Sequence, residues 1–153
     1  MSTRPPSMLQ AALSYAARGW RVLPIEPSGK VPLVSHGVHD ASADPEIVRR
    51  WWARWPAANV AIATGIESGL VVLDVDTADE KRGDRTLVEL VAEHGPIGDT
   101  LHAITGSAGD HFYFAHPDGR VGNSAGRLGR GLATRGDGGY VVAPPSLHAS
   151  GHR

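Results

Sequence analysis

The feature that most limits how this chain can fold is an apolar run that ends in two acids, Leu70 to Thr77 (LVVLDVDT). Its β-branched residues favour a strand, and four consecutive apolar residues favour a buried one. Because side chains alternate along a strand, Asp74 and Asp76 fall on the same face. The run therefore predicts a buried strand over Leu70–Val75 that brings two carboxylates to one place.

Two neighbouring carboxylates repel each other unless a cation lies between them or one of them is protonated. Oxygen ligands suit Mg²⁺ or Mn²⁺, so the pair Asp74 and Asp76 predicts a divalent-metal site. The alternative is a solvent-facing edge strand that carries two acids by chance. Haloacid-dehalogenase-like phosphatases also use such a pair, with a threonine two residues after the second acid. Here Thr77 follows Asp76 directly, and a metal-dependent phosphohydrolase stays a less favoured alternative.

The rest of the chain alternates between helical and extended patterns. Helical spacing predicts helices over Ser7–Gly19, from Asp44 to before Pro56, and over Thr86–His94. Runs of β-favouring residues predict further strands over Trp20–Ile25, Asn59–Thr64, Leu101–Thr105, His111–His116 and Gly139–Ala143. The intervening stretch from residue 119 to 139 is rich in Gly and Arg and weakly periodic. We expect a single α/β or α+β domain over residues 1–153.

Composition narrows the function classes. With no cysteine there is no thiolate zinc site, and no apolar run reaches the length of a membrane span. A cytoplasmic location is the default expectation. The net charge of −1 argues against a globally basic DNA-binding surface, so a nucleic-acid contact would need a local patch. The arginines between Arg120 and Arg135 are the best candidate, with a solvated loop as the alternative.

Two further motifs are rich in glycine. In TGSAGDHFYF, from Thr105 to Phe114, small residues allow backbone amides to approach a phosphate, and His111 starts the next strand. In RGDGGYVVAPPS, from Arg135 to Ser146, a guanidinium precedes two adjacent glycines. A hairpin turn or an ordinary loop would explain either motif taken alone.

Taken together and in this order, these motifs resemble the primase–polymerase domain of the archaeo-eukaryotic primase superfamily. The opening LSYAARGWRVLPIEPSGKVPL and the stretch WPAANVAIATG are similar to it as well, so the resemblance spans about Leu9 to Ser150. Members occur in replication proteins of phages, plasmids and other mobile elements, usually fused to a helicase. The resemblance implies an RRM-like mixed or antiparallel catalytic sheet packed with an N-terminal α/β unit. It also implies that this chain is part of a longer protein with a helicase domain.

The resemblance implies a DNA primase or polymerase that transfers nucleotides from a (d)NTP to a 3′-hydroxyl, with a single-stranded DNA template and primer as partners. The resemblance also implies that Asp74 and Asp76 are catalytic and bind two Mg²⁺ or Mn²⁺ ions. His111 would be catalytic as well and would contact the phosphates of the nucleotide, with Ser107 beside it. Lys30 and Arg135 would line the nucleotide site.

The chain departs from the family pattern at one position. An acidic residue normally stands two positions before the arginine of the third motif, and here Ala133 stands before Arg135. The metal site would lack its third carboxylate, so we expect this chain to be impaired in catalysis, through either engineering or natural loss. A non-catalytic module that binds nucleotide or DNA is the main alternative.

Overall fold

The computed structural model describes residues 4–152. Within them lie the helices α1 (Met8–Ala17), α2 (Pro45–Arg54) and α3 (Gly83–His94). The strands are β1 (Val22–Ile25), β2 (Asn59–Ala63), β3 (Leu70–Val75), β4 (Leu101–Ile104), β5 (Asp110–Ala115), β6 (Ser124–Ala125), β7 (Leu132–Arg135) and β8 (Tyr140–Val142). The chain forms two compact units, one from residues up to 63 together with those from 140 onward, the other from residues 64–139.

The first unit holds α1, α2 and the antiparallel sheet β1-β2-β8. All residues of β1 and β2 are buried, which explains their nearly continuous apolar sequences. α1 contacts α2 and both of these strands. A cluster beside the sheet contains Leu23, Ile25, Ala41, Ala61 and Ala63.

Side-chain caps fix where the first two helices begin. Ser7 and Gln10 form a capping box at the start of α1, each side chain bonding the other's backbone N–H. Asp44 caps α2 by accepting a hydrogen bond from the Glu46 N–H at 2.9 Å, and Pro45 occupies the first helical position. The bounds of α2 agree with the helix predicted from Asp44 to before Pro56.

The second unit holds α3 and a five-stranded sheet in the order β4-β5-β3-β7-β6. Its neighbouring strands are antiparallel, and β3 lies at the centre, between β5 and β7. α3 lies against β3 and β7. The predicted α+β class is therefore confirmed, with two antiparallel sheets.

The boundaries differ from the predictions mainly in the glycine-rich parts. α3 begins at Gly83, three residues before the predicted start, without a side-chain cap. The weakly periodic stretch contains β7, which lies next to the central strand β3, and β6, which pairs with β7 at the edge of the sheet. The prediction of one domain over residues 1–153 stays a prediction, and residues 1–3 and 153 lie outside the described part. Among residues 4–152, no helix has the length and apolar character needed to cross a membrane.

Candidate functional site

Asp74 lies at the centre of the second unit's sheet. Its cross-strand partners are His111 on β5 and Ala133 on β7. Directly paired residues project from the same face of a sheet, so His111, Asp74 and Ala133 form one row across it. The row continues outward to Ala103 on β4 and Ala125 on β6. The sequence therefore places one acid and one histidine in a row of alanines.

The Asp74 and His111 side chains lie close together. His111 Nε2 is 3.4 Å from Asp74 Oδ1, and the two side chains are 11% and 27% exposed. A partly desolvated carboxylate beside an imidazole is a pair that can bind a cation or orient an N–H toward an anion. The ring of Tyr113 packs edge-on against the His111 ring, with 6.4 Å between the centroids, and restricts how the imidazole can turn.

Asp76 lies just beyond the end of β3, where a lysine binds it. Its Oδ2 accepts a hydrogen bond from Lys81 Nζ at 2.8 Å, and its Oδ1 accepts one from the Ala78 N–H at 2.9 Å. The hydrogen bond with Asp76 raises the pKa of Lys81, and the charges of Asp76, Asp79 and Asp74 raise it further. Lys81 thus supplies a positive charge at the predicted metal site.

The turn that carries Lys81 has unusual backbone geometry. Asp79, Glu80 and Arg82 have φ values of 51°, 61° and 52°, in the left-handed region that residues with a Cβ rarely adopt. Such conformations cluster where the surrounding structure over-determines them, often at functional sites. The turn joins the end of the acid-bearing strand to α3, so it fixes where Lys81 meets Asp76.

The loop that contains Ser107 lies next to the same end of β3. Ser107 Oγ is 3.2 Å from Thr105 Oγ1, which also accepts a hydrogen bond from the Gly109 N–H at 3.0 Å. A Cβ on Gly109 would lie 2.3 Å from the carbonyl oxygen of Val75, so only glycine fits there. The structure therefore brings the glycine-rich loop beside the predicted acids, as the phosphate-cradle hypothesis requires.

Backbone hydrogen bonds join Asp76, after the end of β3, to the residue before β7 and to the start of α3. The Asp76 N–H donates to the Gly131 carbonyl at 2.7 Å, and the Gly83 N–H donates to the Asp76 carbonyl at 2.9 Å. Gly83 and Gly131 approach so closely that a Cβ on either would clash with backbone atoms of the other. This junction places α3 and the start of β7 around Asp76.

Arg135 lies on the same face of the sheet as Asp74. It pairs with Val72 on β3, one row away from the pair formed by Asp74 and Ala133. A guanidinium on this face can bind a phosphate near the two acids. Its predicted place at the nucleotide site agrees with this register, although its role stays a prediction.

Asp137, the acid that follows Arg135, has a structural role. It accepts hydrogen bonds from the N–H groups of Val121 at 3.0 Å and Ile66 at 2.9 Å, and lies 2.9 Å from His116 Nε2. The backbone donors at Val121 and Ile66, followed by His116, lower the pKa of this carboxyl. These contacts occupy its oxygens, so Asp137 does not replace the carboxylate that position 133 lacks.

Lys30, the remaining predicted site residue, belongs to the first unit. Its side chain is exposed, and its carbonyl accepts a hydrogen bond from the Tyr140 hydroxyl at 2.9 Å. Its role at a nucleotide site stays a prediction.

The donor set at Asp74 and Asp76 fits one mode of metal binding. Within residues 4–152, no group of three or more acidic, histidine or cysteine side chains could enclose a metal ion. Mg²⁺ is commonly held instead by one or two carboxylates together with the phosphates of a substrate and water. Asp74 and Asp76 suit that mode, provided that Lys81 leaves Asp76.

Sequence reasoning missed Lys81. The only sequence signal is its position five residues after Asp76 in an acidic turn, and charges in such turns are usually solvated. The contact depends on the left-handed residues around it, which no composition rule predicts.

A comparison of the chain with models of known protein families identifies its family. The model of the N-terminal domain of bifunctional DNA primases/polymerases matches residues 12–153, nearly the whole chain. A search of curated proteins found no match. The motifs on β3, β5 and β7 and in the loops between them all lie inside the matched range. The chain therefore belongs to the bifunctional DNA primase/polymerase N-terminal domain family.

Proposed function

We propose that this protein is the core of a DNA primase–polymerase and adds nucleotides from a (d)NTP to a 3′-hydroxyl on a single-stranded DNA template. The observation that carries the proposal is the row of His111, Asp74 and Ala133 across the central strands. It combines a carboxylate and an imidazole with an alanine at the position where the family has an acid. Family membership supports the reaction class.

In the proposed reaction, the 3′-oxygen of the primer forms a bond to the α-phosphorus of the nucleotide. The bond from that phosphorus to the bridging oxygen breaks, pyrophosphate leaves, and the hydroxyl gives up its proton to water. Negative charge develops on the phosphate oxygens, so catalysis consists mainly of positioning and electrostatic stabilisation. A divalent ion bound at the two acids would supply positive charge that stabilises the negative charge developing on the phosphate oxygens.

The residues of the second unit have separate parts in this proposal. Asp74 and Asp76 would hold the ion, either Mg²⁺ or Mn²⁺. His111 Nε2, next to Asp74, would donate a hydrogen bond to a phosphate oxygen, and the Ser107 loop would offer backbone N–H groups to the phosphates. Arg135 would neutralise a phosphate from the neighbouring row of the same face.

Two features reduce the capacity of this site for metal. Ala133 offers no oxygen where a third carboxylate would face Asp74. Lys81 occupies Asp76 Oδ2 and must be displaced before an ion binds there. The Lys81 side chain is 51% exposed, so water can take over its hydrogen bonds when it leaves. We therefore propose that the chain binds nucleotide with divalent metal but turns it over slowly.

The alternative is a module that binds nucleotide or DNA without catalysis, and Ala133 is the observation in its favour. Membership of a longer replication protein with a helicase domain also stays a proposal.

The binding part of the proposal is tested by titrating a fluorescent dNTP with the protein in Mn²⁺ and in EDTA. We expect binding only in Mn²⁺, and its loss in Asp74→Asn. The matched control is Asp118→Asn, which removes an exposed acid elsewhere in the same unit and should bind as the unmodified protein does. Binding that is equal in EDTA, or unchanged in Asp74→Asn, would contradict the assignment of this site.

A further inference from the structure

The first unit contains a groove lined by aromatic and basic side chains that have no part in the proposed nucleotide site. Its volume is about 470 Å³, and one wall is the exposed side of α2. The opposite wall comes from the segment after β1. The lining residues are Leu33, Val34, Ser35, Asp40, Ile47, Arg50, Trp51, Arg54 and Trp55.

The α2 wall repeats once per helical turn. Ile47 and Trp51 lie one turn apart on α2, and Trp55, four residues further, directly follows its last residue. Arg50 and Arg54 form the adjacent row. An aromatic residue therefore follows an arginine in sequence at Arg50-Trp51 within α2 and again at Arg54-Trp55 at its C-terminal end.

The groove tryptophans differ from Trp52, which lies between them in sequence. Trp52 is 4% exposed, and its Nε1–H donates to the buried Ala58 carbonyl at 3.1 Å, so it belongs to the core. Trp51 and Trp55 are only partly buried and line the groove. Both rings therefore keep part of their surface accessible from the groove.

The groove arginines are available to bind an anion. Within residues 4–152, neither Arg50 nor Arg54 forms an ion pair with an acid, and the Arg54 guanidinium lies 4.7 Å from the centre of the Trp55 ring. By contrast, Arg49 on the same helix lies 3.8 Å from Glu46. Asp40 is the single acid of the groove lining, and its carboxylate is bound by His36.

Hydrogen bonds from His36 reduce the electrostatic repulsion between the Asp40 carboxylate and an anion in the groove. Asp40 Oδ2 accepts a hydrogen bond from the His36 N–H at 3.0 Å, and Oδ1 lies 3.2 Å from His36 Nδ1. Two cations and one bound acid leave the groove with net positive charge, although the whole chain carries −1.

We propose that this groove binds single-stranded DNA, with bases stacked on Trp51 and Trp55 and phosphates bound by Arg50 and Arg54. Proteins that bind single strands without sequence preference combine these two elements, a basic track and aromatic platforms. An apolar protein segment in the groove would bury both guanidinium groups without a partner, which is unfavourable. The inference rests on the proposed function, because a template strand is the single-stranded DNA that such an enzyme uses.

The first test measures binding of a labelled oligothymidylate by fluorescence anisotropy, in EDTA and without nucleotide, at several salt concentrations. We expect the double variant Arg50→Gln, Arg54→Gln to bind at least about tenfold more weakly. The slope of log affinity against log salt should become shallower by about 1.4, since each phosphate contact to a single strand contributes about 0.7. Arg49→Gln is the matched control, because it removes a charge from the same helix outside the groove. It should leave the slope unchanged.

The second test separates stacking from charge. Trp51→Leu and Trp55→Leu should each weaken binding by about fivefold or more, because stacking contributes about 1–3 kcal/mol per base. Their salt slopes should stay as in the unmodified protein. Circular dichroism and urea unfolding of each variant show whether it is folded. If a tryptophan variant unfolds, the arginine variants still test the proposal, because they alter only exposed positions.

Three results would overturn the proposal. The first is that the arginine double variant binds the oligonucleotide as tightly as the unmodified protein does. The second is that Arg49→Gln weakens binding as much as the double variant does. The third is that the unmodified protein shows no measurable binding of the oligonucleotide. Because the assay contains neither metal nor nucleotide, its outcome is independent of the nucleotide site. Loss of nucleotide binding in Asp74→Asn with oligonucleotide binding intact would separate the two proposals.

Discussion

Asp74 on β3 and Ala133 on β7 are direct cross-strand partners, so the methyl group of Ala133 stands where a third carboxylate would face Asp74. Paired residues of antiparallel strands have Cβ atoms about 5 Å apart, a separation that one cation can span. A single residue can therefore remove one ligand from the proposed metal site.

Ala133→Asp should make stability depend on metal. In EDTA, two carboxylates in direct cross-strand positions repel, and we expect the free energy of unfolding to fall by about 1 kcal/mol. Saturating Mn²⁺ should reverse this loss and raise the melting temperature more than it does for the unmodified protein. Ala125→Asp is the control, since it adds the same charge in the same row about 10 Å from Asp74. Equal Mn²⁺ effects in both variants would count against position 133 as a ligand position.

Lys81→Met should strengthen metal binding. The ammonium group competes with a cation for Asp76 Oδ2, so its removal should lower the Mn²⁺ dissociation constant by about two- to fivefold, the range for a partly exposed ion pair. Electron paramagnetic resonance of free Mn²⁺ measures this directly. Arg85→Met, which removes an exposed cation from α3, should leave the constant unchanged. Weaker Mn²⁺ binding in Lys81→Met would show that Lys81 supports the site instead of competing for it.

Asp137→Asn should destabilise the protein in a manner that depends on pH. The donors around Asp137 lower its pKa below the ordinary value of 3.8, so the folded state favours the ionised form. The carboxylate therefore contributes stability above pH 3.8, and that contribution is lost as the pH falls through the lower folded-state pKa. Urea unfolding should show a constant difference from the unmodified protein near neutral pH and a shrinking difference in acid.

The matched control for this experiment is Asp118→Asn, an exposed acid in the same unit. It should show no comparable dependence on pH. If the difference caused by Asp137→Asn stayed constant down to strong acid, the hydrogen bonds to the ionised carboxylate would not be what stabilises this region.

Gly109→Ala should disturb the loop that contains Ser107. The new Cβ would lie 2.3 Å from the Val75 carbonyl oxygen, and backbone must move to relieve that contact. We expect the free energy of unfolding to fall by about 1–3 kcal/mol, and Mn²⁺-dependent nucleotide binding to weaken as the loop shifts. Gly122→Ala, where no atom lies within 4 Å of the added Cβ, should change neither quantity. Unchanged nucleotide binding in a destabilised Gly109→Ala would argue against a phosphate role for the loop.

The parts of the fold that sequence predicts well are those with strong local signals. The bounds of β3 agree with the prediction because an apolar β-branched run is closed by a glycine on one side and acids on the other. α2 begins as predicted because Asp44 and Pro45 form a specific start signal. Asp74 lies on β3 and Asp76 directly follows its last residue, and their common face stays a prediction from strand alternation.

The parts that sequence could not predict depend on pairing between distant segments. β7 is four residues long in a stretch rich in glycine, and it becomes a strand because β3 offers it backbone hydrogen bonds. The register that aligns His111, Asp74 and Ala133 arises only in the folded sheet. The contact between Lys81 and Asp76 likewise requires a turn with left-handed residues.

The decisive measurement is primer extension on a DNA template with Mn²⁺ and dNTPs, with the unmodified chain beside Ala133→Asp. We expect Ala133→Asp to extend the primer, and the unmodified chain to do so far more slowly or not at all. Adding Asp74→Asn to Ala133→Asp should abolish extension. Extension by the unmodified chain at the rate of Ala133→Asp would contradict the claim that position 133 limits this site. Extension that survives Asp74→Asn would contradict the site itself.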